Sequence, residues 1–361
     1  MKIVADNKIP FLKGVFEPFA EVVYLPGKSI DREALKDADA LITRTRTRCT
    51  REVLEGTCVK HIATATIGFD HIAVPEVEAL GITWNNAPGC NANSVGQYMT
   101  AALLSLDMEL EGKTLGVVGV GHVGTIVARY AEALGMKVLK NDPPREESGE
   151  KGFVSLEELL DSSDMVTLHV PLEYTGKYPT FHMADEKFFS RMRKGAVFFN
   201  ASRGEAVDSA ALKNALKTQH LSKAVLDVWE DEPHIDLELM DMCFISTMHI
   251  AGYSTDGKAN GTSASVRAVA KALGIKELET WSPASIPAPL EAQETEFVSL
   301  KEAVLHTYSP LRDSENLRNA PENFEELRGS YPLRREFQAF RVLNAPPRER
   351  KILEQLGFQI G

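Results

Sequence analysis

Short apolar, β-branched runs alternate with amphipathic stretches along most of this chain, each about as long as one strand or a few helical turns. Residues 1–6, 21–25, 39–44, 61–66 and 82–85 predict strands, with helical patterns at 31–37, 50–55 and 74–80 between them. The segment 87–95, APGCNANSV, breaks the pattern at Pro88 and Gly89. Asn93 or Ser94 is then placed to cap a long apolar helix over 95–106, which would bridge two domains. Beyond it the alternation resumes. Strands are expected at 115–120, 137–141, 165–172, 196–204 and 223–228, with 243–253 closing the series. Helices are expected at 123–134, 155–164, 184–192 and 210–217, and the Pro/Gly-rich stretch after Asp142 reads as a surface loop.

These strands are continuously apolar rather than alternating, which marks them as buried on both faces and parallel. About six of them form the doubly wound sheet expected of a βαβ series. A last long helix over 255–273 returns the chain to the first domain, although Gly257 and Gly261 weaken its start. Pro283, Pro287 and Pro289 mark a linker, followed by mixed α and β patterns at 290–361. The expected fold is therefore α/β: two Rossmann-like or flavodoxin-like parallel-sheet domains with a cleft between them, plus a small α+β C-terminal domain. The expected boundaries are 1–94 with 254–280 for the substrate domain, 95–253 for the nucleotide domain and 281–361 for the C-terminal one.

At 361 residues the chain can bury two or three cores. Its formal net charge of −11 argues against non-specific nucleic-acid binding, though not against a local basic pocket. The longest apolar stretch, 99–106, is too short to span a bilayer, and the N-terminus has no apolar signal region. Cys49, Cys58, Cys90 and Cys243 are scattered without metal-like spacing, as expected of reduced thiols in a cytosolic protein; no metal site is predicted.

The chemistry concentrates at strand ends. Gly119, Gly121 and Gly124 stand in G-x-G-x-x-G spacing between a predicted strand and a predicted helix. The first permits a tight turn, the second lets the backbone approach a pyrophosphate, and the third lets helix and strand pack closely. The phosphates would rest on the helix's unpaired N–H groups. Asp142, ending the next strand, is placed for a ribose hydroxyl and would repel a 2′-phosphate, which favours NAD over NADP. Downstream, Arg203, Asp227, Glu232 and His249 stand at or near the carboxyl ends of successive strands. A guanidinium there suits a carboxylate, and a paired His and Glu suit proton exchange. In the first unit, Arg44 and Thr45 in TRTRTR and the small residues of ATATIGFDH at 63–71 stand where α/β sheets bind anions.

Taken in order, GKTLGVVGVGHVG, LHVPL, NASRG, LDVWEDEP and MHIAGY resemble the D-2-hydroxyacid dehydrogenase family, over about residues 1–275. ATATIGFDH, NNAPGCNANSV, NDPPR and the C-terminal FEELRGSYPLRREF resemble one branch of it, which acts on a small phosphorylated hydroxyacid and dimerises through its C-terminal domain. The resemblance implies a homodimer and NAD as cofactor. It implies His249 as general acid/base, Glu232 as its partner and Arg203 as the substrate clamp. It places His122 and Val123 over the pyrophosphate, Asp142 on the ribose, and Val170, Ala201, Ser202, Arg203, Asp227 and Gly252 around the rest of the cofactor. Thr45, Thr66 and Tyr253 become substrate contacts, with Arg44 a further candidate for a phosphate. Two alternatives share these motifs: the same chemistry on another acid such as 3-phosphoglycerate, and an NAD(H)-sensing binding protein without turnover.

Overall fold

A computed structural model describes the whole chain, Met1–Gly361. It divides into two compact units, Met1–Asn91 with Ser254–Pro287, and Ala92–Tyr253 with Ala288–Gly361.

In the first unit, β1 (Lys2–Asp6), β2 (Glu21–Leu25), β3 (Ala40–Thr43), β4 (His61–Thr64) and β5 (Thr83–Asn85) form one parallel sheet in the order β2-β1-β3-β4-β5. One face packs Ile3, Ala5, Ala40, Ile42 and Ala63 against Val266, Val269 and Ala270 of the helix Thr255–Leu273. That helix forms despite its glycines, and Gly261 shows why one is there. A Cβ at this position would lie 2.6 Å from the Ala65 carbonyl oxygen, so the glycine lets helix and strand end touch. The opposite face packs Val4, Leu41 and Ile62 on Leu35, Leu54 and Val77.

The second unit is built on a six-stranded parallel sheet of β6 (Thr114–Val118), β7 (Lys137–Asn141), β8 (Met165–Leu168), β9 (Ala196–Asn200), β10 (Leu221–Leu226) and β11 (Ile245–Ser246), in the order β11-β10-β9-β8-β6-β7. Strand order reverses between β6 and β8. A crevice therefore opens beyond their carboxyl ends, the usual ligand position in such sheets. The predicted strands were right in kind but long. Those expected to reach 172 and 204 stop at Leu168 and Asn200, where Pro171 and the turn at Gly204 end the ladder.

Two local expectations are corrected. The helix expected to bridge two domains runs Ala92–Leu104, within the second unit, so Asn93 and Ser94 lie inside it and neither caps it. The Ser94 hydroxyl instead donates to Glu336 Oε1 at 2.7 Å, a partner 242 positions away that no local pattern reveals. The stretch after Asp142 is not all loop. Asp142 caps a short helix, Pro143–Glu147, by accepting from the Arg145 N–H, and the two prolines occupy its first turn, where no N–H is needed.

Residues 288–361 pack within the second unit. Helices Leu300–Thr307 and Pro310–Asn319 lie on the helix Ala92–Leu104, and β12 (Glu294–Glu296), β13 (Arg341–Leu343) and β14 (Gln359–Ile360) make a small parallel sheet. Phe337 stacks on Phe358 at 4.6 Å and meets Tyr130 at 6.0 Å, joining this segment to the nucleotide-side core.

Candidate active site

The glycine-rich turn follows β6 directly. Gly119 has φ +83, and a Cβ there would lie 2.6 Å from the His169 carbonyl oxygen; at Gly124 it would lie 2.0 Å from the Gly119 carbonyl oxygen. Both glycines are thus required by the fold itself. Gly121 differs: its φ is −71, and nothing lies within 4 Å of a Cβ built on it. The fold does not need a glycine there, but a ligand passing over the turn would. Gly121 also begins the helix His122–Ala133 without a side-chain cap, leaving the first-turn N–H groups to an anion. His122 is exposed and Val123 half-buried at that end. The turn therefore fits a pyrophosphate. Gly121→Ala is expected to leave the melting temperature unchanged while weakening NADH binding by about tenfold or more, as steric exclusion from a helix N-terminus predicts. A fluorescence titration beside a thermal melt checks both halves.

Asp142, at the end of β7, braces this turn: its Oδ2 accepts from the Val120 N–H at 2.8 Å. Val170 lies two residues beyond β8, and Ala201 to Arg203 lie directly beyond β9. Asn200 ties that turn down, its Oδ1 accepting from the Ser202 N–H and hydroxyl while its Nδ2 donates to the Arg203 carbonyl. The Arg203 guanidinium starts from this fixed backbone and donates to the Ser202 carbonyl at 2.8 Å.

His249 and Glu232 are brought together. Glu232 Oε2 lies 2.8 Å from His249 Nδ1, and its Oε1 accepts from the Trp229 N–H at 3.0 Å. The carboxylate so engaged selects the Nδ1–H tautomer and leaves Nε2 for a substrate. Burial pushes the Glu232 carboxyl up, but the charge and hydrogen bond of His249, the Trp229 amide and the charge of Arg328 outweigh it, holding it below its ordinary value. A depressed carboxyl contributes stability above its unfolded pKa and loses it as pH falls through the folded one. Glu232→Gln should therefore flatten the acid limb of a stability-versus-pH curve below about pH 4.5, the ordinary carboxyl value. Thermal melts from neutral to acid pH test this.

Asp227, directly after β10, is buried and bonds the turn that carries His249. Its carboxylate accepts from Thr247 Oγ1 (2.6 Å), Ile250 N (2.8 Å) and Ala251 N (2.9 Å), and its carbonyl from His249 N (2.7 Å). Gly252 and Tyr253 complete the turn. Sequence reasoning missed the far side of this site. Arg328 lies 5.4 Å over the Tyr253 ring, Tyr331 meets the same ring edge-on at 6.1 Å, and Arg334 reaches the backbone after His249. All three lie in FEELRGSYPLRREF, where a buried arginine is indistinguishable from a solvated one.

In the first unit, Thr45 and Thr66 follow the neighbouring strands β3 and β4. Thr66 Oγ1 is held between Thr64 Oγ1 and the Gly68 carbonyl at 2.8 Å each, and Thr45 is exposed. Arg44 donates to the Lys8 carbonyl at 3.2 Å. No group of acidic, His or Cys side chains is arranged to hold a metal.

Comparison with known proteins shows the family. The family described as D-isomer specific 2-hydroxyacid dehydrogenase, NAD binding domain, matches residues 91–251, and a domain of unknown function (DUF3410) matches 286–357. The solved D-lactate dehydrogenase of Aquifex aeolicus, complexed with NAD and lactic acid, is 29% identical with a TM-score of 0.65, covering 80% of this chain and all of its own. Fold and site thus define an NAD-dependent dehydrogenase of the D-2-hydroxyacid class. The erythronate-4-phosphate dehydrogenase of Bacteroides fragilis is 50% identical over 95% of this chain and 99% of its own. That of Porphyromonas gingivalis is 40% identical over 99% of this chain and all of its own. This chain belongs to the erythronate-4-phosphate dehydrogenase family.

Proposed function

We propose that this protein oxidises 4-phospho-D-erythronate to (R)-3-hydroxy-2-oxo-4-phosphooxybutanoate, a step toward pyridoxal 5′-phosphate. The supporting observation is the His249–Glu232 pair at 2.8 Å, with Arg203 on a turn whose Gly204 packs against the Trp229–Glu230 backbone, in a chain similar over nearly its whole length to erythronate-4-phosphate dehydrogenases. NAD, when bound, would supply the acceptor for the hydride that leaves C2 of the substrate. Gly119, Gly121, His122, Val123 and Gly124 would cradle its pyrophosphate and Asp142 its ribose, with Val170, Ala201, Ser202, Arg203, Asp227 and Gly252 around the remainder. His249 Nε2 takes the proton of the 2-hydroxyl. Glu232 keeps the imidazole oriented and stabilises the imidazolium that results. The Arg203 guanidinium holds the substrate carboxylate and the oxygen that becomes the carbonyl. Thr45, Thr66 and Tyr253 would contact the substrate, and Arg44 its phosphate.

The reading extends to a homodimer formed through the C-terminal residues, where Leu290, Val298 and Leu311 are exposed, and to a cytoplasmic setting that suits four free thiols. No helix is long and apolar enough to cross a membrane. The decisive experiment is a steady-state assay of phosphorylated and unphosphorylated 2-hydroxy acids with NAD. Thr45→Ala and Arg44→Ala should weaken the phosphorylated substrates selectively. Preference for 3-phosphoglycerate or an unphosphorylated acid would move the assignment to another substrate. NADH binding without turnover of any acid would make this a sensor.

A further inference from the structure

The turn after His249 is gripped from two sides. Asp227 takes its amides. Arg334 takes its carbonyls: Nη2 donates to Ala251 O at 2.6 Å and Nη1 to Ile250 O at 3.3 Å, while Nη2 also reaches Ser94 O at 3.3 Å. The guanidinium lies 4.3 Å from the centre of the Tyr308 ring, and the side chain is only 4% exposed. Burying a cation at this depth costs several kcal/mol of hydration. Tyr308, Tyr331 and Asp313 offset part of that cost: both hydroxyls donate to Asp313 Oδ2, at 2.9 and 2.7 Å, which places a polar cluster with an acidic member beside the arginine. An apolar side chain would fill the same volume more cheaply. What only a planar fork of donors supplies is a simultaneous hold on two successive peptide carbonyls.

The held peptides have a particular burden. His249 sits at φ +56, in the left-handed region, where a residue other than glycine stays only if its surroundings fix it. That conformation is the one in which Nδ1 reaches Glu232. Asp227 fixes the peptides by their N–H ends and Arg334 by their C=O ends, so the turn lies between a buried anion and a buried cation, each bonded to its complementary backbone atoms.

We infer that Arg334 is a positioning residue for the acid–base pair, holding the Ile250 and Ala251 peptides so that His249 keeps its geometry toward Glu232. This rests on the reading of His249 as the proton acceptor. It also gives residues 286–357 a part in the reaction apart from any role in assembly: the segment completes, within one chain, the support of the catalytic turn.

Four measurements on wild type, Arg334→Met and Arg334→Lys test this: kcat, the NADH dissociation constant, the melting temperature, and the low-field imidazole N–H proton resonance of the His249–Glu232 pair. Arg334→Met is expected to lower kcat by about 10²-fold, the effect of a roughly 1 Å misplacement, with NADH affinity held within about twofold and the resonance broadened or lost. Arg334→Lys keeps the charge and the ring contact but not the fork, and should recover about tenfold of that loss. Turnover within about twofold of wild type in both variants would overturn the inference, since it leaves no room for a misplacement effect. So would a parallel fall of turnover, NADH affinity and melting temperature in both, which is the mark of general fold support. If Arg334→Met does not fold, Arg334→Lys decides alone, because it leaves the buried charge in place. If wild type turns over no phosphorylated hydroxy acid, the proposed reaction fails, and the resonance with its loss in the variants still decides the positioning role.

Discussion

Turnover of His249→Asn is expected to fall by about 10²–10⁴-fold, the usual worth of a positioned acid–base group, while NADH binds as before. Asparagine is the informative replacement. His249 has φ +56, which asparagine adopts more readily than most residues, whereas alanine would add left-handed strain of about 1–2 kcal/mol. Asparagine therefore removes the titrating imidazole and leaves the turn bonded to Asp227 as it is. Nucleotide affinity should survive because the glycine turn follows β6, at the opposite side of β8 to β10 and β11. Turnover retained within about tenfold would remove His249 from the role of proton acceptor, since general acid–base help is worth more than that.

The second large effect is expected from a single methyl group. At Gly204 a Cβ would stand 1.9 Å from the Trp229 carbonyl carbon and 2.5 Å from the Glu230 nitrogen, both backbone atoms that no side-chain rotation can clear. Gly204→Ala must separate the turn after β9 from the turn after β10. The first carries Arg203, and the second holds Glu232 through the Trp229 amide. Overpacking of this kind costs about 3 kcal/mol or more. The melting temperature should then fall by on the order of 10 °C, and turnover should fall further than stability alone explains, because Arg203 and Glu232 move apart. An unchanged melting temperature would show that the two turns are not in contact as described.

The parallel character of the sheets and most strand positions could be read from the sequence because parallel buried strands announce themselves as continuous apolar runs. The residues that follow them could be read for the same reason: Arg203, Asp227 and His249 stand within three positions of a strand's last residue, so finding the strand finds the residue. Strand ends were less legible, since Leu168 and Asn200 stop where hydrogen-bonded neighbours stop, and not where hydrophobicity does. Ser94 read as a cap because serine before an apolar run usually is one; its actual partner, Glu336, is fixed by tertiary packing. The same limit hid Arg334. Its environment is made of Ser94, Tyr308 and residues 250–251, three pieces of chain far apart in sequence, and a charged residue in a polar stretch gives no local hint of such surroundings.

That long reach also orders events in time. During synthesis the segments of the six-strand nucleotide sheet have all been made once β11 has emerged, and at about 5–20 residues per second the chain needs roughly 4–18 s more to deliver Arg334. A nascent chain in that interval has the segments of its sheet and glycine turn, yet the Ile250 and Ala251 carbonyls lack the guanidinium that grips them in the complete fold. The nucleotide-binding turn is thus made well before the arginine that grips the Ile250 and Ala251 carbonyls.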